Sequence, residues 1–204
     1  MRLLADECFD ERLAARLRSE GHEVVRVPAQ SGSTTWLWRG ARSVRINALW
    51  EHGDKGLMII PASIPLHDPT VQAELTRYLE QKWDAIISAD VDGPNATPLA
   101  VDRENPNLQR YGAARRVART IFMASAPTYG GPNPGIDDRR IRLGCAQPGE
   151  TPGSFGDALR RLADRATYLY VDGGRYWLST QPSVTRTADD RAAALQADDV
   201  WAEL

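Results

Sequence analysis

Apolar side chains at Phe155, Ala158, Leu159, Leu162, Ala163 and Ala166 recur at i, i+3, i+4, i+7, i+8 and i+11, which predicts an amphipathic helix. Arg160, Arg161, Asp164 and Arg165 fill the opposite face, and Asp157 stands four residues before Arg161, the spacing of a helical ion pair. Ser154 is a good N-cap residue, which puts Asp157 at the third helical position, where a carboxylate favours the helix dipole. The period then changes. TYLYV and RYWLST are β-branched and aromatic runs around Asp172-Gly173-Gly174, which predicts a hairpin. Upstream, RRIRLGC reads as a short strand closed by Gln147-Pro148-Gly149. Short strand, helix and aromatic hairpin, in that order over residues 136–182, are expected to build a winged helix.

The same reading applied from the N-terminus gives a strand at RLLA, a helix from Asp10 to Glu20 with Gly21 as its C′ residue, and a second strand at EVVRV. This is a βαβ-like start. PAQSGSTTW has a linker composition over residues 28–35, and Trp36, Trp38 and Trp50 around SVRINAL suggest a helix packed on a core. LMII is a buried-strand run stopped by Pro61, and Asp68-Pro69 caps a helix whose stripe is Val71, Leu75, Tyr78 and Leu79. Trp83 to Ser88 reads as another strand. Residues 106–126 predict an arginine-rich helix with Ala114, Val117, Ala118, Ile121 and Phe122 on one stripe and Arg115, Arg116 and Arg119 mostly off it. After Pro182 the chain turns polar, with a weak helix from Asp189 to Leu204. The expected fold class is α+β: a βαβ-like piece over 1–28, a partial α/β segment over 36–104, a helix plus winged helix over 105–185, and a helical tail over 186–204.

Charge narrows the functional classes. The formal charge of −2 over 204 residues excludes a globally basic nucleic-acid binder, yet the charge is uneven. Residues 51–104 carry four basic and ten acidic side chains, whereas residues 105–145 carry seven arginines against Asp137 and Asp138. A local excess of five positive charges can form a patch despite the overall sign. For the helix bearing Arg115, Arg116 and Arg119 a solvated face is the plain reading and ligation of a phosphate, from nucleotide or nucleic acid, the sharper one; the candidate nucleic-acid ligands of the winged unit are Arg139, Arg140, Arg142, Arg161, Arg165 and Arg175. Cys8 and Cys145 are too few and too far apart for a metal motif, which favours a reducing cytoplasm. Asp90 and Asp92 in ADVDGPNATP invite a metal reading, but a turn built from Asp, Gly, Pro and Asn is the commoner origin of such a loop.

Two resemblances bear on this pattern. MRLLADECFDERLAARLRSEGHEVVRV resembles the start of the PIN-like family DUF 5615, which implies that Asp6 belongs to a carboxylate cluster binding a divalent metal in a ribonuclease. It covers about 27 residues, and the family's later Thr-x-Asp-x-Asp type motif is not found at the usual distance. From about Gly56 onward, IPASIPLHDPTVQAELTRYL, WDAIISADVDGPNATPL, DRENPNLQRYGAARRVARTIFMASAP and GIDDRRIRLGCAQPGETPGSFGDALRRLADRATYLYVDGGRYWLSTQPSVTR resemble the DUF 499 region of large ATP-binding proteins. Those proteins occur in anti-phage systems of the BREX type and beside DNA methylases. The resemblance implies an AAA+/ORC-like setting, ATP with Mg²⁺ as the parent family's cofactor, and Arg116 as a residue assisting a phosphate. A phosphate loop requires GxxxxGK[ST], and no stretch of the chain has it.

The chain is expected to be a truncated or fused segment of such a defence protein, without a nucleotide site of its own and with no cofactor in isolation. Its winged helix would make weak contacts with duplex DNA, or with the remainder of a larger ATPase or methylase-associated complex. No membrane partner is expected, and enzymatic activity is not. The alternative is a PIN-like, metal-dependent ribonuclease using Asp6.

Overall fold

The computed structural model describes residues 2–6, 15, 16, 18–21, 23–27, 60–77, 79–184, 187, 188, 191 and 192. The predicted linker over 28–35, Trp36, Trp38, Trp50, most of the LMII run and most of the tail helix lie outside these residues. At the N-terminus, β1 (Arg2–Asp6) pairs in parallel with β2 (Glu23–Val27), in register from Arg2 opposite Glu23 to Asp6 opposite Val27. Helical residues lie between them, and Gly21 takes φ +83°, the left-handed conformation of a C′ residue.

Residues 60–104 contain helices and no strand among the described residues. This corrects the predicted α/β segment over that part. A 3₁₀ turn at Pro61–Ser63 leads to α1 (Pro69–Thr76), capped as expected by Asp68, whose carboxylate accepts from Thr70 N at 2.7 Å and Val71 N at 3.2 Å. The predicted strand at Trp83–Ser88 is instead α2 (Lys82–Ile86) running into a π turn at Ile87–Val91. Trp83, Ile86 and Ile87 are buried at i, i+3 and i+4, the helical spacing, whereas a short apolar run read along the chain does not by itself separate a buried helix from a strand. Two short helices follow, α3 (Thr97–Glu104) and α4 (Pro106–Gln109).

The arginine-rich helix is broken at Gly112, which takes φ +56°, so α4 and α5 (Ala113–Ser125) are separate. Helix α5 is buried on nearly every side. Ala113, Ala114 and Ala118 let neighbours approach, while Val117, Ile121 and Phe122 fill the space between them. Trp83 meets Phe122 edge-on at 5.7 Å and Tyr129 at 5.6 Å, the favoured aromatic geometry. One apolar cluster runs from Ile60 to Leu178 around this helix, with side chains from both sides of residue 104.

Beyond α5 come β3 (Ile136–Asp137), α6 (Asp138–Cys145), α7 (Pro152–Arg165), β4 (Leu169–Asp172) and β5 (Arg175–Leu178). The sheet order is β3-β5-β4, antiparallel throughout. The predicted hairpin is present. Gly173 and Gly174 take φ +53° and +75°, the two positive values that a type I′ turn requires. RRIRLGC is corrected from strand to helix: Ile141 and Cys145 are buried at i,i+4 spacing, and Leu143, which completed the apparent alternation, is 77% exposed. Asp137 caps α6 through Arg140 N at 3.0 Å. Helix α7 starts three residues before the predicted point, with Pro152 first and Thr151 at the cap, so Ser154 and Asp157 sit inside it. Its apolar stripe is as predicted: Phe155, Ala158, Leu159, Leu162 and Ala166 are buried, and Ala163 partly so. Asp157 pairs with Arg160 rather than Arg161.

Candidate functional site

The densest polar constellation among the described residues gathers on one face of α5. Arg115 and Arg119 are four residues apart on that helix and therefore adjacent on its surface. The π turn after α2 brings Asp92 to them. Gly93 makes this turn possible, since a Cβ there would stand 2.1 Å from the Ser88 carbonyl oxygen. The Asp92 side chain is wholly inaccessible to solvent. Its Oδ2 accepts from Arg119 Nε at 3.0 Å, Arg119 Nη2 at 2.8 Å and the backbone N–H of His67 at 2.7 Å, and its Oδ1 accepts from Arg115 Nε.

His67 closes the cluster. Its Nδ1 lies 2.9 Å from Arg115 Nη2 and 3.2 Å from Arg119 Nη2, both obligate donors. Nδ1 also lies 3.3 Å from Asp92 Oδ2, so the ring sits between the carboxylate and both guanidinium groups. Arg119 also donates from Nη1 to the Ala62 carbonyl at 3.2 Å, which ties the segment before α1 to α5. Burial pulls the Arg119 pKa down, and attraction to Asp92 opposes that pull. A buried charge is tolerated only when paired and hydrogen-bonded in this way.

Other buried carboxylates are also spent on structure. Asp102 of α3 accepts from Ala114 N at 2.9 Å and Arg115 N at 3.2 Å, so it serves the α5 N-terminus that Gly112 cannot cap. Burial raises its pKa, and these two N–H groups counter the shift. Asp90 accepts from Thr97 Oγ1 at 2.9 Å and Tyr168 N at 2.6 Å, joining α3 to the start of β4. Asp90 and Asp92 thus serve different partners. Among the described residues no group of three or more His, Cys, Asp or Glu side chains could hold a metal ion. Cys145 is buried, its thiol pushed up to about 12 by burial, so it is no nucleophile.

The sequence-nominated residues are dispersed. Arg116 donates to Glu150 Oε2 at 2.6 Å, and Glu150 also accepts from Gln147 N at 2.9 Å, so this arginine fastens the α6–α7 turn to α5. Arg142 holds Asp138 with two bonds, one of 2.8 Å. Arg165 grips Glu104 with its fork, at 3.0 Å for the longer bond. Arg175 donates to the carbonyls of Pro134 at 3.0 Å and Gly135 at 2.7 Å, pinning the loop before β3. Arg140 keeps a loose 3.4 Å contact with Asp137. Arg139 and Arg161 are exposed and make no ion pair among the described residues. Asp6 ends β1, and its side chain lies outside the described residues.

Sequence reasoning passed over the Asp92 cluster. The available signal was the Arg115–Arg119 spacing, which puts both guanidinium groups on one face flanked by the buried positions Ala114 and Ala118. Nothing local in the chain announces that Asp92 and His67 arrive there. Comparison with known proteins found no matching family model, no matching curated protein and no matching solved structure.

Proposed function

We propose that α5 and residues 136–182 form a winged-helix unit that makes weak contacts with duplex DNA, with no preference for sequence. The order helix, strand, helix, helix, hairpin supports this reading, as does the seating of β3 on the edge of β5. The observation that carries the DNA contact is the outward placement of Arg139, Arg140 and Arg161 on α6 and α7, where phosphates are accessible to them. The contact is weak because residues 136–182 hold seven arginines against six carboxylates, a net of one positive charge. Phosphate contacts position a protein on a duplex without reading bases, and a dissociation constant of about 10⁻⁴–10⁻⁶ M is the usual non-specific range.

The setting proposed is that of the DUF 499-type ATP-binding proteins, on the strength of the sequence resemblance alone. Nucleotide chemistry is not assigned to this chain, which has no phosphate-loop sequence. A second reading, docking onto another protein of such a complex, is favoured by Leu143, a large apolar side chain 77% exposed on the helix that carries Arg139 and Arg140. Among the described residues no helix is long and apolar enough to cross a membrane.

Anisotropy titration of a labelled duplex at two salt concentrations separates the two readings. Weak binding that falls steeply with salt supports the DNA contact. No binding even at low salt removes it and leaves protein docking.

A further inference from the structure

We infer that Arg115, held rigid by Asp92 and His67, is a binding site for a phosphate-type oxyanion. The inference is independent of the winged-helix reading, because it rests on the face of α5 where the segment before α1 packs. Of the five N–H groups on the Arg115 guanidinium, Nε–H donates to Asp92 and one on Nη2 packs against His67 Nδ1, 2.9 Å away. The other three meet no acceptor among the described residues, and a third of the side chain is open to solvent.

An ordinary surface arginine must lose rotamer freedom before it can present its fork to an anion. Here that cost is already met by folding, since two contacts fix the guanidinium plane. The fork fits two oxygens of a tetrahedral phosphate bidentately. The nearby carboxylates do not compete for this outer edge. Asp92 is inaccessible and turned inward, and Asp102 is occupied by the backbone N–H groups of Ala114 and Arg115. Their charges still offset much of the local positive field, which sets the expected affinity in the millimolar range. Arg119, nine-tenths buried, supplies a second positive charge beneath the site without reaching the anion.

The test is an NMR titration of the arginine Nε–H resonances with inorganic phosphate, at constant ionic strength, to tens of millimolar. The site predicts a saturable shift of the Arg115 signal. Arg115→Gln abolishes phosphate binding, and Arg116→Gln, which touches a different carboxylate, leaves it intact. A shift that does not saturate, or binding that survives in Arg115→Gln, overturns the proposal. Should Arg115→Gln not fold, Arg115→Lys serves in its place: loss of the fork with retention of charge must weaken binding several-fold, and equal binding refutes the bidentate site. Addition of a short duplex distinguishes the sources. Displacement of phosphate by the duplex identifies backbone phosphate as a ligand, whereas a shift with phosphate alone identifies a free phosphate or monoester.

Discussion

The Asp92 cluster and the arginine surface of α6 and α7 use the same chemistry at two depths. Around Asp92, guanidinium and carboxylate meet where the acid is inaccessible and Arg119 nearly so. On the outer helices, Arg142–Asp138, Arg160–Asp157 and Arg165–Glu104 meet in solvent. Depth decides what each pair is worth. Exposed pairs gain little because water and salt screen them and two long side chains must be ordered. A buried pair gains little net stability over an apolar isostere, but removing one member strands the other charge. The inner cluster is therefore a lock that fails when broken, whereas the outer pairs can be removed at little cost in stability.

The largest effect expected from this contrast is that of Asp92→Ala. It leaves Arg119 buried without a counter-ion and is expected to cost about 3–5 kcal/mol in urea unfolding. Ile141→Ala, on the inner face of α6, should cost about 2–5 kcal/mol, while Leu143→Ala two residues on stays within about 0.5 kcal/mol. That pair of variants checks directly that α6 is a helix, since a strand would bury both residues on one face. Gly93→Ala forces a Cβ onto the Ser88 carbonyl and should cost about 1–3 kcal/mol, through displacement of the turn that delivers Asp92.

The smallest effect is electrostatic. Hydrogen bonding from Arg165 lowers the Glu104 pKa below its ordinary 4.5, so the unfolded chain binds its proton first as acid is added. The stability contributed by Glu104 is present above that ordinary value and lost as pH falls through the folded one. Thermal unfolding of Glu104→Gln should differ slightly from the parent at neutral pH and not at all in acid. Asp102 runs the other way: burial raises its pKa above the ordinary 3.8, so its contribution is full below that value and is lost as pH rises through the higher folded one.

Much of the outer half was legible in the sequence, and the inner half was not. The α7 stripe repeats over three turns, and Gly-Gly flanked by aromatic runs allows few alternatives to a hairpin. Over short runs the periods collide. RRIRLGC satisfies alternation at Ile141, Leu143 and Cys145 and a helical step at Ile141 and Cys145, and only the capping Asp137 breaks the tie. WDAIIS is equally ambiguous. The Asp92 cluster was illegible for a different reason: His67, Asp92 and Arg119 come from three separated segments, and their meeting is a property of packing. Arg115, Arg116 and Arg119 look alike along the chain, yet one touches Glu150, one is buried and one has a third of its side chain in water.

The claim that depth and pairing set each arginine's task is tested most directly by the salt dependence of duplex binding in two double variants. Arg139→Ala with Arg161→Ala removes two exposed charges that make no ion pair among the described residues, whereas Arg142→Ala with Arg165→Ala removes two that already face carboxylates. The account predicts that the first variant flattens the slope of log affinity against log salt by about two counterions, roughly 0.9 for each contact, and that the second changes it far less. Equal flattening by both variants, or a larger effect from the second, would contradict it.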